Sequence, residues 1–79
     1  MLKVRIINPD AIVYDGDAEY VLVPTPKGDI GLMPGHTPLF TELIKGTMYL
    51  KNEKEELMAV ESGILKIRED IVTILIGPA

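Results

Sequence analysis

Leu2, Val4 and Ile6 alternate with Lys3 and Arg5 at the start of the chain. A period of two predicts a strand with one buried face. The same pattern returns in short pieces between turn residues, the mark of an all-β sandwich or barrel. Asn8-Pro9-Asp10 ends the first piece. A brief Ile12-Val13-Tyr14 follows, and Asp15-Gly16-Asp17 reads as a tight turn after it. Ala18 to Val23 is the next strand, closed by Pro24-Thr25-Pro26-Lys27-Gly28.

Beyond a glycine-rich bend, Leu39 to Ile44 reads as extended, and Lys45-Gly46 turns the chain into Thr47 to Leu50. The charged run Lys51 to Glu56 is expected at a hairpin tip, with Leu57 to Val60 returning and Glu61-Ser62-Gly63 turning again. Ile64 to Arg68 and Ile71 to Ile76 form a last hairpin across Glu69-Asp70. That gives about eight to ten strands and no helix, since no apolar spacing near 3.6 survives two turns without Gly or Pro. The last strand is apolar on both faces, which fits a central position or an outer face that meets a partner.

Length and composition narrow the class. Seventy-nine residues make one domain, 1–79. A chain so short buries only about 60% of its unfolded surface, and a partner is one way to add stability. There is no Cys, so disulfides and thiolate metal sites are excluded. The net charge of -4 and the scattered basic residues argue against nucleic acid. No apolar stretch approaches about 18 residues and no signal-peptide core opens the chain, so a soluble cytoplasmic protein is expected.

Candidate chemistry is sparse. His36 is the only histidine, without the Ser, Asp or Cys neighbours that hydrolysis or zinc would need. After Pro34-Gly35 it also reads as a turn residue bonded to backbone. The carboxylates fall at turn and tip positions, and Gly28-x-x-Gly31 lacks the Lys and helix of a phosphate loop. No cofactor, metal or small-molecule substrate is expected. Interaction is the stronger theme. Gly28 to Leu39 packs three glycines, two prolines and the histidine into twelve residues, interleaved with Ile30, Leu32 and Met33. This describes a bent, partly apolar surface built to be covered. Met33 beside Pro-Gly is a plausible contact, while the core competes for the other apolar side chains.

The string GDIGLMPGHTPL resembles the signature of the epsilon subunits of F-type ATP synthases (delta in mitochondrial naming), G-[DE]-x-G-x-x-P-G-H-x-P-L. Other features follow in family order: Tyr14-Asp15-Gly16, Lys45-Gly46, Ser62-Gly63-Ile64-Leu65-Lys66-Ile67 and Asp70 to Leu75. The resemblance runs over essentially the whole chain, with Ser62 where a glycine is usual.

That resemblance implies a flattened sandwich of two roughly five-stranded antiparallel sheets. It implies a non-catalytic central-stalk part between the gamma subunit and the c-ring, peripheral to the cytoplasmic side of a bacterial membrane and turning with the rotor. The loop of Lys27, Gly28, Asp29, Ile30 and Gly31 would face the c-ring. Asn8 and His36 would lie toward gamma, and with them Met33, Leu39 and Phe40, three side chains that the core could also claim. The sequence stops at Gly77-Pro78-Ala79, where the family continues into two antiparallel helices. The expected fold therefore has no C-terminal helical hairpin, and the hairpin's hydrolytic brake and ATP site are not expected here. The alternative from another class is a free-standing β-sandwich adaptor or carbohydrate-binding module.

Overall fold

A computed structural model describes residues 1–77, so the Pro78-Ala79 end lies outside the described residues. Nine strands follow one another: β1 (Leu2–Ile7), β2 (Ile12–Ala18), β3 (Tyr20–Thr25), β4 (Gly28–Leu32), β5 (Leu39–Leu43), β6 (Gly46–Lys51), β7 (Glu55–Val60), β8 (Gly63–Arg68) and β9 (Ile71–Ile76). They form two sheets, in the orders β2-β1-β9-β8-β5 and β4-β3-β6-β7. The body is flattened, 30 × 25 × 19 Å.

The alternating residues meet between the sheets. Leu2, Val4 and Ile6 of β1, Leu65 and Ile67 of β8, and Val72 and Ile74 of β9 are all buried from one side. Val21, Val23, Leu32, Met48, Leu50 and Val60 oppose them from the other. This aliphatic layer is the source of stability, since each fully buried side chain of this kind contributes roughly 1.5–3 kcal/mol. Strand β9 occupies the middle of the five-stranded sheet; Val72 and Ile74 fill the core from its inner side, while Ile71 and Leu75 are exposed on its outer side.

The sandwich agrees with the sequence reading, and three details differ from it. The second sheet has four strands, because Met33 to Pro38 crosses between the sheets as a loop whose prolines have no amide to give a ladder. The pair β1 and β9 is parallel, Lys3 beside Ile71 through Ile7 beside Leu75. No hairpin joins these two, so nothing forces them antiparallel.

Asp15-Gly16-Asp17 is the interior of β2 rather than a turn. It is paired through Arg5 with Asp15, Val4 with Gly16 and Lys3 with Asp17. Here the alternation is carried by residues that seldom mark a strand. Gly16 and Ala18 face the core side, the aspartates face water, and Asp15 meets Arg5 at 3.3 Å. The break comes later, at Glu19, where a one-residue bend passes the chain to the other sheet and the amide bonds the Lys51 carbonyl at 2.8 Å. The expected Glu69-Asp70 hairpin is present, with both residues left-handed (φ 50 and 62), as a two-residue primed turn needs.

Candidate interaction surface

The segment Lys27 to Gly31 is a turn running into an edge strand. Thr25 is buried and braces the turn, its Oγ1 donating to the Gly28 carbonyl at 2.6 Å and accepting from the Lys27 amide at 3.2 Å. Gly28 takes φ 106 at its end, a conformation L-residues with side chains avoid. Pro24 fits inside β3 because β6 pairs only with Tyr20 to Leu22. Beyond that ladder, the Pro24 carbonyl accepts instead from Ile44 at 3.0 Å. Lys27 and Asp29 are exposed, and Asp29 and Gly31 share the outer face of β4. Ile30 turns the other way, opposite Val23, and packs against the core.

The other four expected contact residues divide in the same manner. Asn8 caps its own turn, with Oδ1 accepting from the amides of Asp10 (2.8 Å) and Ala11 (2.7 Å). The amide of His36 bonds the Met33 carbonyl at 3.1 Å, and its Nδ1 lies 2.6 Å from the Thr37 carbonyl oxygen. Met33 is 59% exposed. Leu39, opposite Ile67, packs against the core, whereas Phe40 on the other face is 71% exposed.

Asn8 follows the last residue of β1, while the Met33–His36 turn is tied by Gly35 to Asp70 beside the first residues of β1 and β9. The two therefore sit at opposite ends of the five-stranded sheet, about 20 Å apart for six-residue strands. What joins them is the outer face of that sheet.

Three cross-strand rows make up this face. The first runs Ile12, Ile7, Leu75, Ile64 and Glu42; the second Asp15, Arg5, Thr73, Lys66 and Phe40; the third Asp17, Lys3, Ile71 and Arg68. Among the described residues Ile12, Phe40, Ile64, Ile71 and Leu75 are all exposed large hydrophobics on this side. The four-stranded sheet shows only Leu57 in that class on its outer face.

Isolated exposed apolar residues are ordinary, whereas several on one face form the kind of pattern that contact surfaces share. Four cations, Lys3, Arg5, Lys66 and Arg68, are interleaved with it on the central strands, and the acids stand at its margins. Sequence reasoning missed Ile12, Ile64, Ile71 and Leu75 as surface residues, although the two-faced apolar character of β9 was the available signal.

This sheet face has little relief. Its depression beside Glu42, Ser62, Ile64, Leu75 and Gly77 has a volume of about 440 Å³ and is shallow and open. No group of three or more His, Cys, Asp or Glu among the described residues is placed to hold a metal. The half-buried Tyr20 and Tyr49 have ring centroids 6.1 Å apart and planes tilted by 58°, which makes no flat platform for a sugar.

Two face-packed sheets, one with an outer face of mixed apolar and basic side chains and the other with a braced edge turn, define a protein of the β-sandwich class. More particularly, the chain belongs to the family described as ATP synthase, Delta/Epsilon chain, beta-sandwich domain, whose model matches residues 1–79. It is 39% identical over 79 residues to the ATP synthase epsilon chain of Rippkaea orientalis, covering 99% of this chain and 58% of that one. To the epsilon chain of Bacillus subtilis it is 44% identical over 75 residues, covering 94% and 57%. The chain thus spans little more than half the length of these relatives.

The fold is shared with a chain of the Euglena gracilis mitochondrial ATP synthase (TM-score 0.89, 16% identity, 95% of this chain and 49% of that one). It is shared also with a chain in the central stalk and c-ring structure of the Tetrahymena thermophila enzyme (TM-score 0.86, 10% identity, 98% and 63%).

Proposed function

We propose that this sandwich is a non-catalytic rotor element of an F-type ATP synthase, joining the gamma subunit to the c-ring so that ion-driven rotation reaches the catalytic subunits. The outer face of the five-stranded sheet is the gamma-binding surface, and the Lys27–Gly31 turn faces the ring. Both partners are held from the cytoplasmic side of the membrane. The observation that carries this reading is the gathering of Ile12, Phe40, Ile64, Ile71 and Leu75 on one sheet face, in a chain whose family model spans its whole length.

A torque-bearing joint needs a specific interface of about 800 Å² per partner. The broad face of a sheet supplies such an area and an edge strand alone does not. The interleaved cations set orientation and exclude basic partners more than they add affinity. At the turn, the exposed Asp29 carboxylate does the same toward basic loop residues of the ring.

Binding of the 79-residue chain to purified gamma tests the reading. The unaltered chain binds, and Leu75→Glu, which places a charge in the apolar row, lowers affinity at least about tenfold while leaving the melting temperature in place. Equal binding by Leu75→Glu would remove the sheet face from the interface.

A further inference from the structure

The loop between β4 and β5 is held by a residue from the far end of the chain. The Gly35 amide donates to Oδ1 of Asp70 at 2.8 Å. Among the described residues, this is the one side-chain hydrogen bond that reaches positions 33–38 from outside the loop. The loop has few other holds. Met33, Pro34, Gly35, Thr37 and Pro38 are exposed, and Pro34 and Pro38 carry no amide to donate. Gly35 takes φ 87, so its amide is aimed by a backbone geometry that side chains disfavour.

Asp70 is itself firmly seated. It is left-handed at φ 62 in the β8–β9 hairpin, and its carbonyl accepts from the Lys3 amide at 2.8 Å. One residue therefore bonds the hairpin turn, the start of β1 and the Pro-Gly-His loop.

We infer that Asp70 is a positioning residue for the gamma interface: its carboxylate sets the conformation in which Met33 and His36 are presented. This rests on the functional reading above. A hydrogen bond to an ionised acceptor is among the stronger kinds. Fixing an exposed loop before contact removes part of the ordering cost of binding.

Three variants of the 79-residue chain separate the tether from the turn. Asp70→Gly keeps the left-handed backbone and removes the acceptor. Asp70→Asn keeps an oxygen acceptor and tolerates the same backbone. Glu69→Gly gives equal backbone freedom to the neighbouring left-handed residue (φ 50) without touching the tether. Amide exchange at Gly35 is followed by NMR, with the Val72 and Ile74 amides as a measure of the fold, and gamma affinity is measured alongside.

Asp70→Gly is expected to speed Gly35 exchange about tenfold with Val72 and Ile74 unchanged, and to weaken gamma binding about fivefold. Asp70→Asn restores most of both, and Glu69→Gly leaves both alone. Unchanged Gly35 exchange in Asp70→Gly overturns the inference. So does faster exchange with full gamma affinity, or a Glu69→Gly variant as impaired as Asp70→Gly. If Asp70→Gly unfolds, the Asn variant decides, because loss of Gly35 protection with the acceptor oxygen retained contradicts the tether. An unaltered chain that does not bind gamma sinks the functional reading instead, and Gly35 exchange still judges whether Asp70 holds the loop.

Discussion

The Tyr20 hydroxyl oxygen stands 2.5 Å from where a Cβ on residue 31 would lie, and the ring carbons follow at 2.9 and 3.0 Å. Glycine in β4 and tyrosine in β3 therefore share one space, the ring covering a residue that has no side chain. An edge-strand glycine gains from such aromatic cover. Gly31→Ala is expected to displace the ring, and because the atoms met are the outer end of a half-buried side chain the cost stays at about 1 kcal/mol, read as a lowered melting temperature. Adding Gly31→Ala to Tyr20→Ala should cost less than Gly31→Ala alone, because the clash has gone. Strict additivity in that cycle would deny the shared space.

Ile74 and Leu75 are neighbours on β9 with opposite duties. Ile74 is fully buried and Leu75 is 49% exposed. Ile74→Ala should destabilise by about 2–5 kcal/mol, enough to unfold much of so small a chain. Leu75→Ala should stay within about 0.5 kcal/mol and weaken gamma binding. Urea titration and a binding assay on both variants check the contrast.

Asp29 is exposed beside the braced Lys27–Gly28 turn. Asp29→Lys should leave the sandwich folded and weaken the coupling of ATP hydrolysis to ion pumping in reconstituted vesicles. Full coupling with the reversed charge would count against a ring-facing turn.

His36 places one of its two ring nitrogens, Nδ1, against the Thr37 carbonyl. His36→Ala should therefore keep the fold and loosen gamma binding by a smaller factor than Leu75→Glu. Equal affinity would return His36 to a purely local turn role.

Tyr49 titrates above the ordinary phenol range, first through desolvation and then through the adjacent Glu55 carboxylate. The folded state thus favours the neutral hydroxyl. This contribution is complete below the unfolded value of about 10 and is lost as pH rises through the higher folded value. Tyr49→Phe should flatten that alkaline loss of stability, measured as the urea midpoint on either side of about pH 10. An identical alkaline slope in the variant would refute it.

Much of the fold was legible because apolar residues at every second position can bury only one side of a strand, as Leu2, Val4 and Ile6 do. Asp15-Gly16-Asp17 misled for the opposite reason. Its core-side positions are small and its outward ones are turn formers, and only pairing with Lys3 to Arg5 makes it a strand. Leu39 and Phe40 show a second limit. Alternation says that they face apart, yet pairing with Ile67 and Lys66 decides that Leu39 goes in and Phe40 out. The three-row face was legible only in β9, apolar on both sides; its extent was not, since Ile12, Ile64 and Leu75 meet only through long-range register.

Photo-cross-linking in the assembled synthase tests the central claim most directly, with a benzophenone side chain at position 29 in one sample and at position 75 in another. The account predicts the c subunit captured from position 29 and gamma from position 75. Capture of gamma from both positions, or of neither partner from either, would contradict it.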